Sequence, residues 1–460
     1  MAGLSILTNR TFEWLQEKGL CSPATVAALI ALGFQRLTTI QLHTLPRLLS
    51  ESSTFIHART GSGKTLAFLI PTIERLKAMG FKKSHGVGAL IISPTRELAQ
   101  QIALVLQPLA EAHGFSSQTL TGGTKLKDED LKEGNVLVVG TPGRLTDALT
   151  GCNKTHLLVS SLRILILDEA DRLLDNGSHT QQLRTIYSAL PQEKVQKILV
   201  SATVTPGCTQ LAKEIFETKF SFIGVEEKAS STTAQVKQNY ISVSTSERTS
   251  MLVTVLQTLR KKKVIVFFNS CHSVKFHSQV LSHFKLPVLH CMGQEKQRRR
   301  SNIYAKFLAL ERGILLTTAM AERGWDIPGV HWIIQYDPPH KPEGYIHRVG
   351  RTGRGEGHVG RALLFLRPEE NHFVEVLKNM NVEIVRLEFQ GDLKDVQNKV
   401  SSLVAENVEI KQIARLAFKK FVRAYQCHDR KIFNIHTLDI NEVSRAFGFM
   451  KPPVELGRLK

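Results

Sequence analysis

The stretch Ala58-Arg59-Thr60-Gly61-Ser62-Gly63-Lys64-Thr65 constrains this chain more than any other. It follows a short apolar run, Phe55-Ile56-His57, which reads as a strand, and it opens a helical pattern that begins near Thr65. Strand, glycine loop and helix in that order form the setting in which such a loop binds phosphate. Gly61 and Gly63 let N–H groups turn toward an anion with no Cβ in the way. The helix N-terminus adds its dipole. Thr60, Gly61, Ser62 and Gly63 then form the cradle, Lys64 reaches the β/γ-phosphates, and the Thr65 hydroxyl ligates Mg²⁺. Ala58 stands in place of the first glycine of the general pattern.

The remaining strand candidates end in groups that suit the same chemistry. Val87 to Ser93 is followed by Pro94-Thr95-Arg96-Glu97-Leu98-Ala99-Gln100-Gln101, which turns into a helix. Thr121-Gly122-Gly123 comes next, and the strand Val136 to Val139 ends in Gly140-Thr141-Pro142-Gly143-Arg144. Small residues, hydroxyls and arginines suit contacts to a phosphate backbone, although each stretch alone is better read as a plain strand-to-helix turn. Leu162 to Leu167 is a near-continuous apolar run, as in a parallel strand covered on both faces. Asp168-Glu169-Ala170-Asp171 at its end supplies carboxylates for a metal (Asp168) and for a water-activating base (Glu169). Lys197 to Val200 is one further strand, ending in Ser201-Ala202-Thr203, whose hydroxyls fall on the same edge. Upstream, Phe34 and Gln41 pair an aromatic ring with an amide that carries both a donor and an acceptor, as an adenine edge requires. Alone, Gln41 is more often an ordinary surface glutamine.

Alternation of strands and helices predicts a parallel α/β sheet with its site at the carboxyl edge. Residues 1–225 form this first domain. The polar run 226–238 reads as a linker, and 239–385 begins a second α/β pattern without a phosphate loop. Its strands are Tyr240–Val243, Val264–Phe268, Pro287–His290, Gly313–Thr317, His331–Gln335 and Ala362–Leu366. His347-Arg348-Val349-Gly350-Arg351-Thr352-Gly353-Arg354 carries three arginines spaced by small residues, suited to gripping a phosphate or to forming a basic nucleic-acid surface. Lys261-Lys262-Lys263 reads as a solvated turn. From 386 to 460 the pattern is helical. Ile410, Ile413, Ala414, Ala417, Phe418, Phe421 and Tyr425 mark one face there, and Lys411, Arg415, Lys419 and Arg423 mark another.

Composition narrows the partner. A net charge of +19 favours a polyanion, while 22% charged residues is ordinary for globular domains. The six cysteines form no C-x-x-C pair, which argues against a zinc site or a disulfide framework and for a reducing compartment. No secretory signal and no run of membrane-spanning length is evident, so no membrane partner is expected.

Taken together, Gln41, 58–65, 94–101, Gly122-Gly123, 141–144, 168–171, 201–203, Arg323 to Asp326 and 347–354 resemble, in order and spacing, the full motif set of the DEAD-box ATP-dependent RNA helicases. The resemblance implies two tandem RecA-like domains with a small helical extension, closing on ATP, Mg²⁺ and RNA. By it, Phe34 and Gln41 recognise adenine, while Lys64, Thr65 and Asp168 hold phosphates and metal. Glu169 activates water, Asp326 meets the ribose, and Arg351 and Arg354 serve as arginine fingers. Ser201, Thr203 and Arg348 couple hydrolysis to strand separation. Pro94, Thr95, Arg96, Gly123, Thr141, Pro142, Arg144, Arg298 and Thr318 lie along RNA. The stretch 266–277, Pro368-Glu369-Glu370 and the tail from Phe421 to Pro453 resemble the nucleolar helicases of large-subunit maturation. That implies pre-rRNA as partner, a nuclear and nucleolar location, a monomer, and room for a protein activator.

Leu37 and Thr39 depart from usual prolines, Arg59 from glutamine or lysine, Cys291 from glycine, and Glu295 from glutamine. Ala319 replaces a usual aspartate, Glu322 an alanine, and Trp325 a small aliphatic residue. The last three put the coupling of RNA to ATP in question, and Glu322 is expected to bring negative charge near phosphates. The alternative reading is therefore an ATP-gated RNA clamp with weak turnover. A third, an ATPase acting on DNA or protein, is disfavoured by the PTREL and TPGR stretches.

Overall fold

The structure, a computed structural model, describes residues 7–58, 61–122, 134, 136–150, 157–175, 177–216, 220–224, 236–322, 325, 327–353, 359–389, 393–430 and 432–453. Thr60, Gly123, Arg323, Asp326, Arg354 and most of the 226–238 segment lie outside the described residues. The chain folds as two compact units, Met1–Glu226 and Glu227–Lys460.

In the first unit, β1 (Leu7–Thr11) and β2 (Arg36–Thr38) form a small antiparallel pair. Seven strands then build a parallel sheet: β3 (Thr54–His57), β4 (Ala89–Ile92), β5 (Ser117–Leu120), β6 (Leu137–Gly140), β7 (Ile164–Leu167), β8 (Gln196–Ser201) and β9 (Ser221–Gly224). Their order across the sheet is β5-β6-β4-β7-β8-β3-β9. Every residue of β4, β6, β7 and β8 is buried, because helices cover both faces. That burial is why these strands read as apolar runs, whereas the half-buried β5 and β9 carry no such signal and were not anticipated.

The second unit repeats the plan. Its strands are β10 (Val236–Ser242), β11 (Lys263–Phe267), β12 (Val288–Cys291), β13 (Gly313–Thr317), β14 (Trp332–Gln335), β15 (Gly360–Leu366) and β16 (Val385–Arg386). Their order is β12-β13-β11-β14-β15-β10-β16, the first sheet's order with each strand seven places later in the chain. Two expectations need correction. The linker ends sooner than 238, because Val236–Gln238 already pair with Gly360–Ala362 of β15. Polar side chains in this strand hid it; Gln238 donates to Glu383 O at 3.4 Å. Lys263 is no solvated turn residue. It is 3% exposed at the start of β11, and its Nζ donates to Leu308 O at 3.2 Å and lies over the Phe307 ring.

The C-terminal helices Lys394–Glu406, Val408–Tyr425 and Ile440–Ala446 share one hydrophobic core with the second sheet. Asn407 caps the long helix by accepting from Ile410 N at 3.0 Å. Its apolar face, including Ala414, Phe418, Phe421 and Val422, buries into that core together with Phe447. Deleting 392–460 therefore does more than remove a basic face. It strips the cover from the second unit's core, and the truncated protein is expected to aggregate or to melt many degrees lower, as a thermal scan would show. A truncation that melts like the full chain would mean the helices contribute little to this core.

Two core histidines make this unit acid-sensitive. His277 sits among the rings of Phe268, Tyr336 and Phe447, and burial pushes its pKa down to about 3. Burial likewise holds His428 down to about 2. Both stay neutral in the fold while the unfolded chain takes up protons below its pKa of about 6.5. The unfolded state then binds more protons, so stability present above pH 6.5 is lost on acidification, by about 1.4 kcal/mol per pH unit per histidine. Urea melts at pH 7.0 and 5.5 should show the fall, and His428→Gln should remove about one proton's share of the slope.

Candidate nucleotide and RNA edge

Because the first sheet is all parallel, every strand ends on the same edge, and the candidate residues divide along it. The ends of β7, β8 and β3 carry the carboxylates, hydroxyls and glycine loop; those of β5, β6 and β4 carry the arginines and small residues.

On the first half, Gly63 takes a left-handed φ of 88° and caps the helix Lys64–Ala78, which places Lys64 at its first position. A side chain at Gly63 would strike Gln41 Nε2 at 2.6 Å, so this glycine is required by packing as well as by φ. Gln41 is 2% exposed and braces the loop: its Oε1 accepts from Thr38 N at 2.9 Å and its Nε2 donates to Gly63 O at 3.1 Å. An amide has two N–H donors and two lone pairs, so one of each stays available to a base edge. The brace itself was not legible from the glutamine's position in the chain. Phe34 is 36% exposed, as a ring that stacks on a base must be.

Asp168 and Glu169 follow β7 directly. Glu169 holds a φ of 49°, uncommon for a residue with a Cβ, and its N–H donates to Asp168 Oδ1 at 3.0 Å. Burial first, and then the neighbouring Glu169 charge, push the Asp168 carboxyl up to about 7, while Lys64 pulls it down. A buried carboxyl whose proton affinity is raised by burial and by a neighbouring carboxylate favours a cation beside a phosphate, so the donor set fits Mg²⁺. Thr203 Oγ1 donates to Asp171 Oδ2 at 2.7 Å, and Ser201 Oγ donates to Thr203 O at 2.7 Å. The hydroxyls after β8 are thus wired to the acidic turn after β7 within one unit. His57 Nε2 lies 3.2 Å from Ala202 O, tying the end of β3 to the same turn.

On the second half, Thr95 caps the helix Arg96–Glu111 by accepting from Leu98 N. Arg96 lies against Gly122, where a Cβ would meet its Nη2 at 2.9 Å. Arg144 Nε donates to Thr121 O at 3.3 Å, and Thr141 links β6 to the helix Pro142–Thr150, which Pro142 opens. The end of β4 and the ends of β5 and β6 therefore interlock through backbone and guanidinium contacts.

In the second unit, Arg298 is exposed on the helix Gln297–Ala309, and Thr318 follows β13 half-buried. Arg351 is 5% exposed; its Nη1 donates to Trp325 O at 2.7 Å and its Nε to His347 O at 3.3 Å. Arg348, expected as a coupling residue, is held differently from an arginine that grips a phosphate. It is fully buried, donates to Asp337 O at 2.7 Å and Asn269 Oδ1 at 3.2 Å, and faces the Glu322 carboxylate at 3.4 Å. Within its unit the guanidinium is occupied by these internal acceptors. Glu322, for its part, does not bring bare charge to a surface. It is 9% exposed, its carboxylate pairs with Arg348, and Gly344 leaves it room, since a Cβ there would lie 2.7 Å from Glu322 Oε1. Trp325 fills a core with Phe307 and Ile333 and packs edge-on against Tyr304.

This fold and edge define a class: a tandem of RecA-like units in which one sheet edge carries a phosphate loop beside a candidate polynucleotide track. The chain belongs to the DEAD/DEAH box helicases, the ATP-dependent RNA helicases. The family profile of the DEAD/DEAH box helicase matches residues 38–211, and that of the helicase conserved C-terminal domain matches 247–356. A third, the ATP-dependent rRNA helicase SPB4-like C-terminal extension, matches 407–455. The chain is 42% identical to the probable ATP-dependent RNA helicase pitchoune of Drosophila melanogaster, over 97% of its own length and 65% of that protein's. It is 41% identical to the ATP-dependent RNA helicase has-1 of Neurospora crassa, over 98% of its length and 77% of that protein's. The chain thus spans somewhat less than two thirds of the Drosophila relative. Among solved structures it is similar to Mss116p bound to ssRNA and AMP-PNP, with a TM-score of 0.83, 26% identity, and coverage of 99% of this chain and 94% of that one.

Proposed function

We propose that this chain couples ATP hydrolysis to local opening of RNA duplexes in ribosomal RNA precursors, within pre-ribosomal particles of the nucleolus. The observation that carries the enzymatic reading is the division of one sheet edge into a phosphate-and-carboxylate half and an arginine-and-hydroxyl half. The ribosomal substrate rests on the C-terminal extension, whose match carries the rRNA helicase description, and on the residues of the tail.

In this reading Gln41 and Phe34 take the adenine, Gly61 to Lys64 take the phosphates, and Asp326 takes the ribose. Thr65 and Asp168 hold Mg²⁺, which when bound neutralises phosphate charge. Glu169 accepts the proton of the attacking water. Arg351 and Arg354 supply positive charge to the transferred phosphoryl group. For Arg351 this means exchanging bonds it now makes to carbonyls. Thr203, through Asp171, passes the state of the acidic turn to the neighbouring strand end. Pro94, Thr95, Arg96, Gly123, Thr141, Pro142, Arg144, Arg298 and Thr318 hold the RNA backbone, which predicts little sequence preference. Trp325 and Glu322 are both absorbed into the second unit's packing, which favours a coupled enzyme over a clamp with weak turnover.

Steady-state ATP hydrolysis with single-stranded RNA, with DNA and with no nucleic acid tests the proposal. Strong stimulation by RNA alone is expected. Lys64→Ala is expected to weaken ATP binding by about tenfold to a hundredfold, the loss of a charge-assisted contact to phosphate. Equal rates with and without RNA, alongside nucleotide-dependent RNA binding, would favour the clamp instead.

A further inference from the structure

The two sheets share one strand order, so each position in the first unit has a counterpart in the second. The phosphate loop and Lys64 follow β3; the counterpart helix, Arg248–Thr258, follows β10 and places Arg248 at its first position, as Lys64 is in its own helix. The acidic turn follows β7; Tyr336 and Asp337 follow its counterpart β14. The second unit therefore keeps a cation at a helix start and a carboxylate at a strand end. Here, however, they close on each other. Arg248 is 2% exposed, pairs with Asp337 Oδ1 at 3.4 Å, contacts Tyr336 O and lies over the Tyr336 ring.

The rest of that counterpart pocket is filled from the C-terminal extension. Phe421, Ala424, Tyr425 and His428 line it together with Arg248 and Asp337, and about 10 Å³ of space is left, room for one water at most. Tyr425 lies under the Arg367 guanidinium and stacks on His428. His428 is 5% exposed, and its Nε2 is 2.9 Å from Asn269 Nδ2. An amide nitrogen only donates, so His428 Nε2 accepts, which needs the neutral ring that burial enforces. Asn269 Nδ2 also donates to Pro338 O, its N–H donates to Asp337 Oδ2, and its Oδ1 accepts from Arg348. Arg348 lies on the helix Pro342–Val349 that leads directly into Arg351.

We propose that the C-terminal extension is the built-in occupant of the second unit's counterpart of the nucleotide pocket, and that from there it positions the arginine helix through His428, Asn269 and Arg348. His428 and Asn269 are positioning residues in this scheme. They touch no substrate and act by fixing the orientation of the Arg348 guanidinium, and with it the turn Gly350–Thr352. The effect on catalysis rests on the function proposed above; the effect on the turn does not.

The test is amide hydrogen exchange in the full chain, read at Gly350, Arg351 and Thr352, whose N–H groups donate to Ile346, Arg348 and Val349 carbonyls. His428→Leu keeps the ring's bulk but removes the acceptor; His428→Gln restores an acceptor. Exchange at the three amides is expected to rise about tenfold in His428→Leu and to stay near wild type in His428→Gln, with β11 amides unchanged in both. RNA-stimulated kcat is expected to fall about tenfold in His428→Leu with KM for ATP unchanged. Asn269→Ala, which breaks the same chain at its middle link, should reproduce both results if His428→Leu folds poorly. Unchanged exchange at 350–352 in a folded variant of either kind overturns the proposal. Should wild type hydrolyse ATP no faster than Glu169→Gln, the catalytic reading fails, and the exchange result alone decides the relay.

Discussion

Glu169→Gln is expected to bind ATP as the wild type does and to lose turnover by about a hundredfold to ten-thousandfold, the span that one general base contributes. The substitution is nearly isosteric. It keeps the volume of a residue that is 6% exposed, and it keeps the backbone N–H that donates to Asp168 Oδ1. In the function proposed above, it removes the carboxylate assigned to accept the proton of the attacking water. It also removes a charge that pushes the Asp168 carboxyl upward, so the folded protein should be at least as stable as the wild type. Loss of rate with a retained or raised melting temperature would assign the role to chemistry. Equal ATPase rates in the two proteins would sink the assignment.

Arg348→Ala is expected to destabilise the second unit by about 3–5 kcal/mol, the range for breaking a buried ion pair by removing one partner. The guanidinium is the hub of its neighbourhood: Glu322, the Asp337 carbonyl and Asn269 all depend on it, and it lies over the Phe267 ring. Removing it leaves the Glu322 carboxylate in a buried site beside His347. Glu322→Ala should cost less, because Arg348 keeps two neutral acceptors and the family's usual residue at this position is alanine. Urea melts of the two variants check the order. If Glu322→Ala proves the more damaging, the carboxylate and not the arginine is the hub. A role for Arg348 confined to coupling would predict lost turnover with unchanged stability, so the same melts separate the two views.

Much of the nucleotide half of the site could be read from the chain because its signals are local. A phosphate loop needs its glycines and lysine in consecutive positions, and a buried parallel strand must be apolar throughout. Asp168 and Glu169 could therefore be placed by what precedes them. The RNA half was legible only as a set, since a threonine or arginine after a strand fits many turns. Glu322 shows the opposite limit. Its charge suggested a surface feature, and nothing nearby in the chain announces that Arg348, Gly344 and His347 enclose it. Gln41 was singled out by its residue type, but its support of Gly63 joins positions 22 residues apart and was invisible.

The sequence alone determined the buried apolar strands, the parallel α/β class, the phosphate loop and the carboxylates at a strand end, because each follows from residue order over a few positions. The tandem of RecA-like domains was implied by the motif resemblance, but only the tertiary structure gave the strand-for-strand register of the two sheets and the counterpart pocket closed by Arg248 and Asp337 and lined by the C-terminal extension. No local pattern records that repeat, since the two units preserve strand order while sharing almost no motif. The physical reason is that strand pairing and core packing join residues far apart in the chain, as His428 and Asn269 are joined across 159 residues, and such contacts are fixed by the whole fold at once.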